Sequence, residues 1–74
     1  MSRDNVIAVA KYKNKYYVLA DLNIENQFNK NYIKYKLDNL FYKYTFNRGK
    51  ALCIAHDIQY SMVTEYGVIE IDIN

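Results

Sequence analysis

Two apolar, β-branched runs, 6–12 and 16–21, flank the polar triplet Lys13-Asn14-Lys15. Each is too short for a stable helix and rich in residues that suit a pleated strand, so the pair predicts a β-hairpin. Asn14 is the expected turn residue, because asparagine tolerates positive φ better than most side chains. Alternation sorts the runs into two sets without fixing the register between the strands. One holds Ile7, Val9, Tyr16, Val18 and Ala20; the other holds Val6, Ala8, Ala10, Tyr17 and Leu19.

The composition then turns polar over 22–31, where Asn23, Asn26, Asn29 and Asn31 mark a loop or the irregular start of a helix. Ile33, Leu37, Leu40, Phe41 and Tyr44 follow at the spacing of an amphipathic helix. A strand over 32–37 also alternates, and both readings stay open here. Residues 45–49 break the pattern. Asn47 suits the N-cap of a second helix over 47–62, whose apolar face is Ala51, Ile54, Ala55, Ile58 and Met62. Thr64-Glu65-Tyr66-Gly67 ends it, and 68–73 alternates strictly, with Ile69, Ile71 and Ile73 opposite Glu70 and Asp72. The expected order is β-β-α-α-β. This is a small α+β two-layer sandwich, a three-stranded, mostly antiparallel sheet with two helices on one face. The second helix and last strand are expected to meet through Ile54, Ala55, Ile58, Ile69 and Ile71.

Length narrows the function. Residues 1–74 read as a single domain. A chain of this size buries only about 60% of its unfolded surface, leaving little room for a deep active-site cavity. Dinucleotide-binding and kinase-like folds are too large for it. The single cysteine cannot form an internal disulfide, the polar first five residues do not resemble a signal peptide, and no apolar run approaches the about 20 residues of a membrane span. The expectation is a cytoplasmic protein, in a bacterial host, that does not enter a membrane.

Catalytic chemistry finds little support. Cys53, His56, Asp57 and Tyr60 lie at helical spacing, but Cys53 and His56 supply only two of the about four ligands of a structural zinc. A nucleophilic pair also needs a third group to orient the imidazole. Cys53 therefore reads as a small buried side chain and His56 as a helix-border residue. Gly49-Lys50 lacks the rest of a phosphate-binding loop, and Glu65, Glu70 and Asp72 read as a solvated face. The expectation is no enzyme activity, no cofactor and no metal.

Charge is unevenly spread. Residues 11–50 carry nine cations against three carboxylates, whereas 51–74 carry four carboxylates and no Lys or Arg, within a net charge of +2. Lysines alternate with rings at Lys11-Tyr12-Lys13-Asn14-Lys15-Tyr16-Tyr17, Lys34-Tyr35-Lys36 and Tyr42-Lys43-Tyr44. Such interleaving can neutralise phosphates and stack unpaired bases, or meet an acidic protein groove. Lys11, Lys13, Lys15, Tyr16, Lys34, Tyr35, Lys36 and Lys43 are the candidate partner-binding residues. The competing reading is a solvated face set by base composition. Asn, Lys, Tyr and Ile make 34 of the 74 residues, as an AT-rich coding sequence from a low-GC bacterium or its phage produces.

Arg48-Gly49-Lys50-Ala51-Leu52-Cys53-Ile54-Ala55-His56-Asp57 and Thr64-Glu65-Tyr66-Gly67-Val68 resemble segments of small phage and prophage proteins, some encoded in or near anti-CRISPR regions. The resemblance covers about half of the chain and includes no catalytic motif. It implies a stoichiometric inhibitor that occludes a host defence complex, so the expected partner is a host protein or ribonucleoprotein complex. A nucleic-acid-binding accessory or regulatory protein is the alternative.

Overall fold

A computed structural model describes residues 5–62 and 67–73; Thr64, Glu65 and Tyr66, part of both the phage-like segment and the expected helix end, lie outside them. The chain runs β1 (Asn5–Tyr12), β2 (Lys15–Asn23), a 3-10 turn (Ile24–Asn26), α1 (Lys30–Asn39), β3 (Lys43–Thr45), α2 (Arg48–Met62) and β4 (Val68–Asp72). The four strands form one sheet in the order β3-β2-β1-β4. β1 pairs antiparallel with β2, and β2 with β3, while β4 lies parallel to β1.

The hairpin forms where the sequence places it. Lys13 and Asn14 both have positive φ, 51° and 64°, as a two-residue primed turn requires to match the twist of its strands. Beyond the turn, the register shifts between Val6 and Ala8, which face Leu22 and Leu19. The extra residue in β2 is a bulge. It brings Leu19 and Leu22, which simple alternation would place on opposite faces, into the same core layer.

Every residue from Val6 to Ala10 is buried. Val6, Ala8 and Ala10 pack with Ile33 and Leu37 of α1, whereas Ile7 and Val9 pack with Ala51 and Ala55 of α2. These are the two alternation sets of the sequence, one for each helix. The α+β class stands, but the helices cover opposite faces and make three layers instead of two. The sheet is mixed and four-stranded, because α2 carries the chain from the β3 edge across to the β4 edge and delivers β4 parallel to β1.

The strand that the sequence does not predict, β3, takes residues that periodicity gives to the first helix. α1 begins at Asn29, whose side chain accepts a bond from the Tyr32 N–H at 3.1 Å. It stops at Asn39, whose Nδ2 donates to the Tyr35 carbonyl at 2.8 Å, and Leu40 is already extended. Leu40 and Phe41 are exposed, so they belong to no buried helical stripe. Tyr44 instead pairs with Tyr17 across the sheet. Three residues are too few for alternation to reveal a strand.

α2 begins as expected: Asn47 Oδ1 accepts from the Lys50 N–H at 3.0 Å, and the Asn47 carbonyl accepts from the Ala51 N–H at 3.1 Å. Its contacts with β4 differ from expectation. Val68 packs in the α2 layer, but Ile69 and Ile71 point to the α1 side, so the expected pairing of Ile54, Ala55 and Ile58 with Ile69 and Ile71 does not form.

The two-sided burial of β1 gives an ordered pair of stabilities. Ile7→Ala, at a site with no exposed surface, is expected to cost about 2–5 kcal/mol, and Ile58→Ala, at a half-buried one, about 1–2 kcal/mol. Urea melts of the two variants check the order; an equal or reversed order would contradict this packing.

Candidate functional site

The helix on the first face is too small to cover it. A ten-residue helix is about 15 Å long and about 10 Å across, while β2, with nine residues, extends about 30 Å. Ile33 and Leu37 seal the part of the sheet built from β1, β4 and the far half of β2. The corner formed by the hairpin and β3 is left with aromatic side chains.

Register places Tyr12 beside Lys15, Ala10 beside Tyr17, and Tyr17 beside Tyr44, all on the α1 side. The rings form a chain across three strands. Tyr12 and Tyr17 have centroids 6.5 Å apart, Tyr17 and Tyr44 5.4 Å, and Tyr44 meets Phe46 edge-on at 5.8 Å. Tilted and edge-on contacts suit the quadrupoles of the rings. Exposure increases along the chain from buried Tyr12 to Tyr44 at 47% and Phe46 at 70%. Lysines accompany it: the Lys15 ammonium lies 4.8 Å from the Tyr44 centroid and that of Lys13 5.1 Å from Tyr12. Asp38, from the last turn of α1, accepts the Tyr12 hydroxyl at 2.9 Å and approaches Lys13 at 3.9 Å. Burial first, then the bond to Asp38, raises the Tyr12 pKa.

The eight sequence candidates divide among separate places. Lys13 and Lys15 join the aromatic corner. Lys11 and Tyr16 are paired on the opposite, α2 face of the same sheet end. There they line an open depression of about 240 Å³ with Arg48, Glu70 and Asp72. Arg48 donates to both Glu70 oxygens, at 2.7 and 2.8 Å, tying the start of α2 to edge strand β4. Lys43 is exposed opposite Val18, at the other end of β3. Lys34 and Tyr35 are exposed on α1.

Lys36 is buried, its ammonium 3.2 Å from Asp21 and 5.4 Å from the Tyr32 centroid. The bulge in β2 turns Asp21 outward, where it also accepts the Tyr42 hydroxyl at 3.0 Å. Burial alone pulls the Lys36 pKa down, but Asp21 and Tyr42 outweigh it and hold it above the ordinary lysine value. Burial and the bond to Asp21 likewise raise that of Tyr42, against the opposing influence of Lys36. This group holds α1 and the α1–β3 connection to the sheet.

Tyr17 and Tyr44 belong to the runs that alternate with lysine but not to the eight candidates, and Phe46 is in neither. Periodicity places Tyr44 on a helical stripe and Phe46 in the break after it. The available signal was the spacing of Lys15 and Tyr17, which strand alternation puts on one face.

The cysteine differs from its expected setting: Cys53 is exposed, as is His56, because the buried side of α2 is formed by Ala51 and Ala55. Among the described residues no three of His, Cys, Asp and Glu gather to hold a metal ion, and no helix is long and apolar enough to cross a membrane.

The raised pKa values of Lys36 and Tyr42 fix the sign of an alkaline effect. Both groups hold their protons more tightly in the folded protein, so their contribution is complete below the unfolded values near 10 and is lost as pH rises through the folded ones. Stability measured by urea melts at stepped pH is expected to fall above about pH 10, and less steeply in Tyr42→Phe. An identical decline in the variant would show that Tyr42 is not coupled to folding.

No protein-family model, curated protein or solved structure matches this chain.

Proposed function

We propose that this is a small non-catalytic binding protein that acts in the cytoplasm of a bacterial host by occupying a surface on a host protein or ribonucleoprotein complex. The observation that carries this reading is the uncovered aromatic corner, where Tyr44 and Phe46 stay exposed beside Lys13 and Lys15. Large rings with polar or cationic neighbours offer contact area at low cost in side-chain entropy, and such groups dominate the energetics of macromolecular interfaces. The phage-type segments supply the class of target. They resemble small phage and prophage proteins, some encoded in or near anti-CRISPR regions, and that resemblance supports a defence complex as the partner and occlusion as the mode.

Catalysis has no comparable support. Cys53 and His56 are exposed on α2, away from the aromatic corner, and the depression on the other face is lined by the paired charges of Arg48 and Glu70.

Affinity capture from host lysate, followed by binding measurements with the captured complex, tests the reading. One complex should bind at fixed stoichiometry. Phe46→Ala should weaken it by about thirtyfold, the loss of a central interface ring at about 2 kcal/mol, while Cys53→Ala and His56→Ala leave it unchanged. Binding that is indifferent to Phe46 but abolished by Cys53→Ala would contradict the proposal.

A further inference from the structure

The geometry points to single-stranded nucleic acid as the ligand of the aromatic corner. This inference rests on the reading of that corner as a binding surface and names the chemistry that it accepts.

Three observations combine. First, the rings stand on the face of a sheet. Tyr17 and Tyr44 are cross-strand neighbours on β2 and β3, and Phe46 continues the row at 5.8 Å from Tyr44. Successive unpaired bases can stack on such a platform, because every base presents a π-face and needs no specific edge contact. Paired bases inside a duplex cannot reach it.

Second, the cations are placed for a backbone beside the stack. The Lys15 ammonium lies 4.8 Å from the centroid of exposed Tyr44, so a base on that ring brings its phosphate within reach of it, and Lys13, two residues away at the hairpin turn, can meet a neighbouring phosphate. Lys15 over Tyr44 can exchange its cation–π contact for a stronger charge-assisted bond to phosphate.

Third, charge favours an anionic strand over a second copy of this chain. Joining two corners would oppose Lys13 and Lys15 of one copy to those of the other, each pair with Asp38 beside Lys13. The carboxylates Glu70 and Asp72 lie on β4, across the sheet from β3 and on the α2 side. The corner is therefore basic where the rings are exposed.

The test is fluorescence anisotropy with labelled oligothymidylate and oligouridylate of about a dozen nucleotides, a length within the range that one small sheet module covers, against a duplex of equal length. Single strands should bind more tightly than the duplex. Phe46→Ala and Tyr44→Ala, both at exposed positions and verified as folded by circular dichroism, should each weaken binding by about tenfold or more. The log-log dependence on salt should have a slope of about 1.4 for two phosphates, falling to about 0.7 in Lys15→Gln.

No binding of either single strand at low salt would overturn the assignment. So would equal binding by the duplex, which would reveal charge attraction without stacking, or unchanged affinity in both ring variants. The broader reading fails separately. If host capture survives nuclease and still requires Phe46 while the oligonucleotides do not bind, the corner takes a protein and only the nucleic-acid assignment falls. If oligonucleotides bind but no host complex is captured, the occlusion reading falls and this assignment stands.

Discussion

Everything in this small protein depends on a strand whose central residues, Val6 to Ala10, have no solvent face. β1 is bonded to β2 on one edge and β4 on the other, and its side chains meet α1 above and α2 below. A chain of 74 residues has little apolar surface to spend, and a central strand buried on both sides contributes every side chain from Val6 to Ala10 to a core. Its small residues set the layer spacing. Ala8 and Ala10 admit Ile33 and Leu37, while on the other face Ile7 and Val9 meet Ala51 and Ala55, so that bulk on one layer faces small residues on the other. The outer strands complete the sheet differently. β3 has only three residues with Lys43 at its start, and β4 alternates Glu70 and Asp72 with isoleucines, features that discourage edge-to-edge pairing.

The same economy leaves part of the first face uncovered. One short helix is available for the first face, and its end is fixed by Asn39 and by the Tyr12–Asp38 bond. The corner beyond it is filled with rings that are partly supported by one another, from buried Tyr12 out to exposed Phe46. The inner rings serve the fold and the outer ones remain exposed. Lys36 shows the opposite outcome for a lysine: it pairs with Asp21 next to the bulge in β2 and becomes part of the structure.

Much of this was legible in the residues. The hairpin, the turn at Asn14, the Asn47 cap and the final strand follow from local chemistry, and both alternation sets of the hairpin match the observed layers. What the pattern did not convey was that both sets were buried. The run Val6 to Ala10 is apolar at every position, the signature of a strand covered on both faces, yet a short apolar run is equally compatible with packing on one. β3 was hidden for another reason: its position depends on pairing with β2, not on any periodicity of its own. For the candidate site, charge identified Lys13 and Lys15, but only the register distinguished Tyr17 from its neighbour Tyr16, since one residue decides which face a strand side chain takes.

The central claim is that β1 is the strand on which the rest is assembled, and native-state amide hydrogen exchange tests it most directly. The amides of Val6 to Ala10 should exchange only through global unfolding, with an opening free energy equal to that from urea melts, while those of β3 exchange through smaller local openings. Exchange from β1 through a local opening, or protection of β3 equal to that of β1, would contradict the account.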